Sequence, residues 1–247
     1  MEFYQHHFDT KTGTYNFDKI RTPNWPTLLA NLAAWNRTAK MNPSEKVIPI
    51  TPINQRASES FESAKKNFAV ILEHAPWLRT LDKEALGLAK ENASAKTKYA
   101  KLVRIADRIA EAMAPSSACK AGCSHCCHRS VGISAFEAGR LSEASGRPIK
   151  KVERTKMPMT VAEDVPATAC PFLQGDECSI YENRPIACRI TFNISDDALF
   201  CDPALAPEGT QPPTISMDGF LMAYAIAFVK EPLADIRSFF EPAGTQA

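Results

Sequence analysis

Cysteine is absent from the first 118 residues of this 247-residue chain, although the whole chain holds eight. Thiol chemistry is therefore confined to the C-terminal half. Long apolar runs are missing too. The longest, Phe220 to Val229, is well short of the roughly 20 residues a membrane-spanning helix needs, and it reads as a buried helix. Nor is there a concentrated basic run. Residues 1–115 carry 17 Lys and Arg against 12 Asp and Glu, and residues 116–247 carry 12 against 16. An excess spread that thinly is not a nucleic-acid footprint, but the change of sign favours two units. The opening MEFYQHHFDTKTGTYNFDK has neither a basic n-region nor an apolar h-region, so it does not read as a signal peptide. The expectation is a cytoplasmic protein with reduced thiols, where cysteine clusters are metal sites more often than disulfides. No Ser–His–acid order, paired-carboxylate motif or phosphate loop is present, so no residue is put forward as catalytic.

What is there is mostly helical pattern. Residues 1–22 lack a clear period and read as an extended arm. Asn24-Trp25-Pro26 opens a helix to about residue 41, with Leu28, Leu29, Leu32 and Trp35 on one side. Three prolines between Pro43 and Pro52 make a connector. A second helix is expected over 55–74, with Phe61, Ala64, Phe68, Ile71 and Leu72 at helical spacing. Asp82 is expected to cap a third. A fourth, over 94–113, carries its stripe at Tyr99, Leu102, Ala106, Ile109 and Met113. These stripes read as the core of a helix bundle. Ser134 with Glu137 forms a capping-box pattern for a short helix ending near Gly146. Residues 147–168 read as a loop, and 216–229 as the last strong helix.

The cysteines are Cys119, Cys123, Cys126, Cys127, Cys170, Cys178, Cys188 and Cys201. Spacings of three and two residues let Cys119, Cys123 and Cys126 wrap one ion or cluster from a single loop, and thiolate sulfur selects Zn, Cu(I) or iron–sulfur clusters. A disulfide scaffold is disfavoured by the absent secretory segment, and Cys126-Cys127 would pair only with strain. Four-cysteine zinc sites usually present two Cys-x-x-Cys knuckles, and only Cys123–Cys126 qualifies. Three clustered cysteines plus one remote suit a [4Fe–4S] cube, which is favoured over Zn2+. The fourth ligand is expected from Cys178 or Cys188, and the others form a second site or pack as buried thiols. The spacing also matches radical S-adenosylmethionine enzymes, but the 121 residues after Cys126 lack the alternating strands and helices of that barrel. Eight thiols suffice for two four-coordinate sites, so His125 and His128 are read as supporting or surface residues. Arg129, Arg184 and Arg189 are expected to offset thiolate charge, and Phe172, Ile180 and Tyr181 to cover the sulfurs.

CKAGCSHCC at 119–127, followed by CPFLQGDECSIYENRPIACRITF at 170–192, resembles the YkgJ-type family of zinc- or iron-chelating cysteine-cluster proteins. In that family a Cys-x(2 or 3)-Cys-x2-Cys-Cys opening precedes Cys-x-Ile-Tyr-x-x-Arg-Pro-x-x-Cys-Arg and a last cysteine. The opening falls on Cys119, Cys123, Cys126 and Cys127, and the later positions on Cys170, Cys178, Cys188 and Cys201. Ile180, Tyr181, Arg184, Pro185 and Arg189 occupy the family's intervening positions. The resemblance covers roughly residues 116–202 and implies metal or cluster binding through the eight cysteines, not a known reaction. Ser124-His125 departs from the small residues common there, and the long helical half is not a family requirement. Related domains occur in flagellin lysine methylases, but no glycine-rich S-adenosylmethionine loop is present.

The expected fold is mainly α: an arm (1–22), a helical region (23–115), and a loop-rich cysteine-cluster metal-binding domain with a C-terminal helix (116–247). The expected function is a structural or redox metal module docked to a protein partner, without membrane or nucleic acid. Two alternatives are a component of a larger assembly stapled by the metal, and an enzyme of redox or methyl-transfer type.

Overall fold

The computed structural model describes residues 8–9, 14–15, 52–120, 122–153, 168–202 and 212–242. The expected helix at 24–41, the connector after it and most of the expected arm lie outside the described residues, as do the middle of the loop after Gly146 and residues 203–211. The fold is mainly helical. In chain order the elements are β1 (Phe8–Asp9), β2 (Thr14–Tyr15), α1 (Pro52–His74), α2 (Leu81–Lys90), α3 (Ala95–Met113), β3 (Gly132–Ser134), α4 (Ala135–Ser145), β4 (Leu173–Gln174), β5 (Glu177–Cys178), α5 (Ile186–Arg189), α6 (Asp218–Ala227), β6 (Leu233–Asp235) and α7 (Ile236–Phe239). The strands form three antiparallel two-stranded pairs, β1–β2, β3–β6 and β4–β5. No helix among the described residues is long and apolar enough to cross a membrane.

The stripes read from the sequence are the faces that pack. Ala64, Ile71 and Leu72 of α1 meet Leu102, Ala106, Ile109 and Met113 of α3 in the main core. Each side chain of Leu or Ile size fully buried there contributes about 1.5–3 kcal/mol. Ser94 caps α3, its hydroxyl accepting the Thr97 amide at 3.1 Å, which satisfies an amide with no partner inside the helix. The apolar core crosses residue 116. Ile186, Ile190, Ile194, Phe220, Ala223, Tyr224 and Phe228 share it with the first three helices.

Asp82 does not cap α2. Thr80 holds the cap position without a side-chain hydrogen bond, and Asp82 lies in the first turn. Its carboxylate presses on the start of α6, where a Cβ on Gly219 would fall 2.1 Å from Asp82 Cγ. Glycine is what lets α2 and α6 approach this closely. Burial first, and the neighbouring Asp218 second, push the Asp82 carboxyl up to about 6.

The capping box is half realised. Ser134 Oγ accepts the Glu137 amide at 3.1 Å, and α4 ends on Gly146 at φ +71°, the left-handed turn that glycine adopts without a Cβ clash. The Glu137 carboxylate does not reach back to the cap. It is fully buried, accepting from Tyr99 Oη (3.2 Å), Tyr224 Oη (2.7 Å) and the Ile186 amide (2.8 Å). Burial pushes its pKa up against those three donors.

A second, smaller apolar cluster joins Ile133, Leu141, Phe172, Ile180, Ile236, Phe239 and Phe240. It lies under the β3–β6 pair, in which Gly132 faces Asp235 and Ser134 faces Leu233. The third cluster is Ala57 and Phe61 of α1 against Leu199 and Phe200.

Candidate metal centre

All eight thiols are free, and four pieces of backbone carry them. The first is the loop from Cys119 through a 3-10 turn at His125–His128, where the Cys127 amide donates to Ser124 O at 2.9 Å and the Arg129 amide to Cys126 O at 3.1 Å. Gly122 in this loop sits at φ +78°, a conformation that suits glycine. The second is the β4–β5 hairpin with Cys170 before it and Cys178 at its end. Gly175, at φ +60°, takes the first of its two turn positions, where a type II′ hairpin needs φ > 0. Ser124 Oγ donates to Asp176 Oδ1 at 3.0 Å, tying this turn to the first loop. The third is α5 with Cys188. The fourth is the turn Leu199–Cys201.

Two polar side chains join these pieces. Asn193, 2 % exposed, donates its main-chain amide to Cys119 Sγ and its Nδ2 to Cys201 Sγ, both at 3.3 Å. Arg237 donates to three carbonyls, Thr168 O (2.7 Å), Cys127 O (2.9 Å) and Arg129 O (3.1 Å), while Asp235 pairs with it at 3.1 Å. The Cys170 amide also donates to Cys127 O at 2.7 Å. Arg147 reinforces the same region, donating to Pro171 O and lying over the Phe172 ring.

The eight sulfurs have overlapping neighbours. Cys127, Cys170 and Cys178 pack on the second apolar cluster. Cys188 feels the charges of Cys126, Cys170 and Cys178, and the Cys126 and Cys127 side chains hydrogen-bond to each other. Cys201, by contrast, feels Cys119 and Cys123. Cys119 feels both Cys123 and Cys126, so Cys126 neighbours sulfurs on either side.

Burial pushes the thiols of Cys119, Cys170, Cys178 and Cys188 up, as it does that of Cys201, to about 11. N–H···S bonds oppose it, from Asn193 to Cys119, Phe172 to Cys170, and Ile180 to Cys178. Cys126 is the exception. The Cys127 thiol donates to it, and Arg129 and Arg184 lie near, so its pKa falls to about 6 while that of Cys127 rises.

The supporting residues divide as well. Arg129 and Arg184 lower Cys126 as expected of cations near thiolates. Arg189 turns away to Asp107 at 2.5 Å and to the carbonyls of Arg184 and Glu182. Its length lets it close the turn before α5 instead. Phe172 and Ile180 cover the sulfurs, but Tyr181 is exposed and stacks under the Arg184 guanidinium, 4.0 Å from its ring centre. His128 is exposed and His125 half-buried.

The donor set suits a soft metal: unpaired thiols, N–H groups aimed at sulfur, and guanidinium groups nearby. Among the described residues, no group of three or more His, Cys, Asp or Glu converges as the ligands of one ion do. Thiols gain nothing from such convergence without a cation between them, and as thiolates they repel.

Asn193, Arg237 and Arg147 were not legible as site residues in the sequence, because their partners are carbonyls and sulfurs far along the chain.

No curated protein and no solved structure matches the chain. Residues 118–203, about a third of the chain and all eight of its cysteines, match the family model described as "CxxCxxCC: Putative zinc- or iron-chelating domain".

Proposed function

We propose that this protein is a metal-binding module in which four thiolates, those of Cys119, Cys123 and Cys126 with a fourth from Cys178 or Cys188, hold a [4Fe–4S] cluster, docked to a protein partner. One observation carries the reading: all eight thiols are unpaired, and N–H groups of Asn193 donate to the sulfurs of Cys119 and Cys201, which come from segments far apart in the chain. Iron–sulfur centres are held by cysteine thiolates, and burial with hydrogen bonds to sulfur tunes them. Such a centre would supply electron transfer, whereas Zn2+ in its place would supply cross-linking alone. A partner is supported by Met222, Ile226 and Val229, exposed at helical spacing along α6 and the turn after it.

Anaerobic purification followed by metal analysis and a visible spectrum tests this. The expected protein is brown and contains iron with sulfide, and Cys126→Ser loses the colour. Colourless protein with stoichiometric zinc would remove the cluster and keep the metal site. Protein with neither metal, under those conditions, would overturn the reading.

A further inference from the structure

We infer that α1, a helix outside residues 118–203, is a strap over the segment that leads to Cys201, and that its seating sets the access of reagents to the Cys119 and Cys201 sulfurs. The inference rests on the metal-binding reading for the use of those thiols. Its test reads them in the metal-free chain, so either can fail alone.

Arg56, Ser60, Ser63 and Asn67 follow one another at steps of four, three and four residues, so they share one face of α1. That face meets residues 194–197. Arg56 donates to both carboxylate oxygens of Asp197, to Oδ1 at 2.6 Å. Ser63 Oγ accepts the Asp196 amide at 3.1 Å. Asn67 Nδ2 donates to Ile194 O (2.9 Å) and Asp196 Oδ1 (2.7 Å). The grip passes on to the sulfurs by two routes. Asp197 Oδ1 also accepts the Leu199 amide at 2.8 Å, where the turn that ends on Cys201 begins. Asn193 donates its Nδ2 to Asp197 O (2.8 Å) and Cys201 Sγ (3.3 Å), and its main-chain amide to Cys119 Sγ (3.3 Å).

This seat is weak at one end. Ser60, inside the polar row, is 2 % exposed, and its hydroxyl has no hydrogen-bond partner among the described residues. A hydroxyl buried in that state favours parting of the surfaces that cover it, since water then satisfies it. The apolar contact here is also small: Ala57 and Phe61 against Leu199 and Phe200, with Phe61 meeting Phe200 edge-on at 5.6 Å. Ala64, Ile71 and Leu72, farther along α1, belong to the main core. The start of α1 and the Cys201 turn therefore form a unit that parts while the rest of the helix stays packed, as locally opening regions with few apolar contacts do.

Opening of that unit takes Asp197 off Arg56 and frees the residue that donates to both sulfurs. Cys119 and Cys201 are half-buried even when the unit is closed, so little else stands between them and solvent. Cys170 and Cys178 lie off this route. They pack on the Ile133–Phe172–Phe239 cluster, and Arg237 holds the backbone beside them at Cys127 O. Access to one pair is set by α1, and access to the other by Arg237.

The test is alkylation of the full chain, reduced and metal-free, by iodoacetamide, with each cysteine followed by peptide mass. Asn67→Ala should raise the rates at Cys119 and Cys201 by about fivefold, the effect on an opening equilibrium of losing one ordinary hydrogen bond. Arg56→Ala should raise them less, because its ion pair is exposed. Cys170 and Cys178 should keep their rates in both variants. Ser60→Ala removes the unpartnered hydroxyl and should slow Cys119 and Cys201, a change of opposite sign that general loosening of the fold does not produce. Equal acceleration of all eight cysteines by Asn67→Ala would overturn the strap, as would unchanged rates at Cys119 and Cys201. If Asn67→Ala fails to fold, Ser60→Ala decides alone: slower alkylation of those two supports the strap, and unchanged or faster alkylation overturns it. Metal content of the unaltered protein is measured separately and bears on the metal-binding reading only.

Discussion

The carboxylate of Glu137 accepts the main-chain amide of Ile186 at 2.8 Å, and Ile186 is the first residue of the helix that carries Cys188. One end of this bond belongs to α4 and the helical core, the other to the cysteine cluster. The same oxygen accepts Tyr99 Oη, and the other accepts Tyr224 Oη. Glu137 therefore joins three helices to the start of α5.

Glu137→Ala should be costly. It leaves the Tyr99 hydroxyl and the Ile186 amide without an acceptor, each worth about 1–3 kcal/mol when orphaned, while Tyr224 Oη keeps Ser134 Oγ at 2.9 Å. The expected loss of unfolding free energy is about 3 kcal/mol or more by the same reckoning. Glu137→Gln keeps an acceptor for Ile186 and should cost distinctly less. Urea denaturation of the two variants measures both, and equal costs would mean the amide bond to Ile186 matters little.

Arg237→Lys is a second expected loss. Lysine keeps the charge but cannot fork to the carbonyls of Thr168, Cys127 and Arg129 as the guanidinium does. Hydrogen bonds from a charged donor are worth about 1.5–3 kcal/mol, so a loss of that order is expected from urea midpoints. Alkylation of Cys127 and Cys170 in the metal-free protein should also quicken, since Arg237 helps hold their loops together. Unchanged alkylation would show that the Cys170–Cys127 backbone bond suffices by itself.

The pH dependence turns on Asp82. Its folded pKa, about 6, lies above the ordinary value of 3.8. Between those values the folded state holds a proton the unfolded state has lost, so stability falls as pH rises across that window. The penalty is absent below the lower value and complete above the higher one. Asp82→Asn should therefore melt higher than the unaltered protein at pH 8, with the difference shrinking as pH falls toward 4. A difference independent of pH would remove the charge from the explanation.

Metal removal should act unevenly. Helices α1, α2, α3 and α6 share a core whose buried residues include no cysteine, so chelation should leave most of the far-ultraviolet helical signal. The segments around Cys119–Arg129 and Cys170–Cys178 rest on short turns and should become open to protease. Limited proteolysis before and after chelation locates the change. Loss of nearly all helical signal would instead mean that the metal and the helices form one cooperative unit.

Much of this was legible along the chain. The periods that place Ile71, Leu102, Ala106 and Ile109 inward, the Ser134 cap, and the Gly146 stop follow from local geometry. Side chains three and four apart share a helix face whatever lies beyond them, and a cap needs only its own first turn. The density of cysteine likewise announced a metal site from residue types alone. Tertiary structure decided which cysteine-bearing segments meet, where Asn193, Arg237 and Glu137 pull them together across separations as long as 110 residues. Polar side chains of that kind carry no period, because their partners are carbonyls and sulfurs chosen by the packing of distant elements. The pairing of β3 with β6 is of the same sort. Three-residue strands have too little pattern to name a partner a hundred positions away, and only the core beneath them selects it.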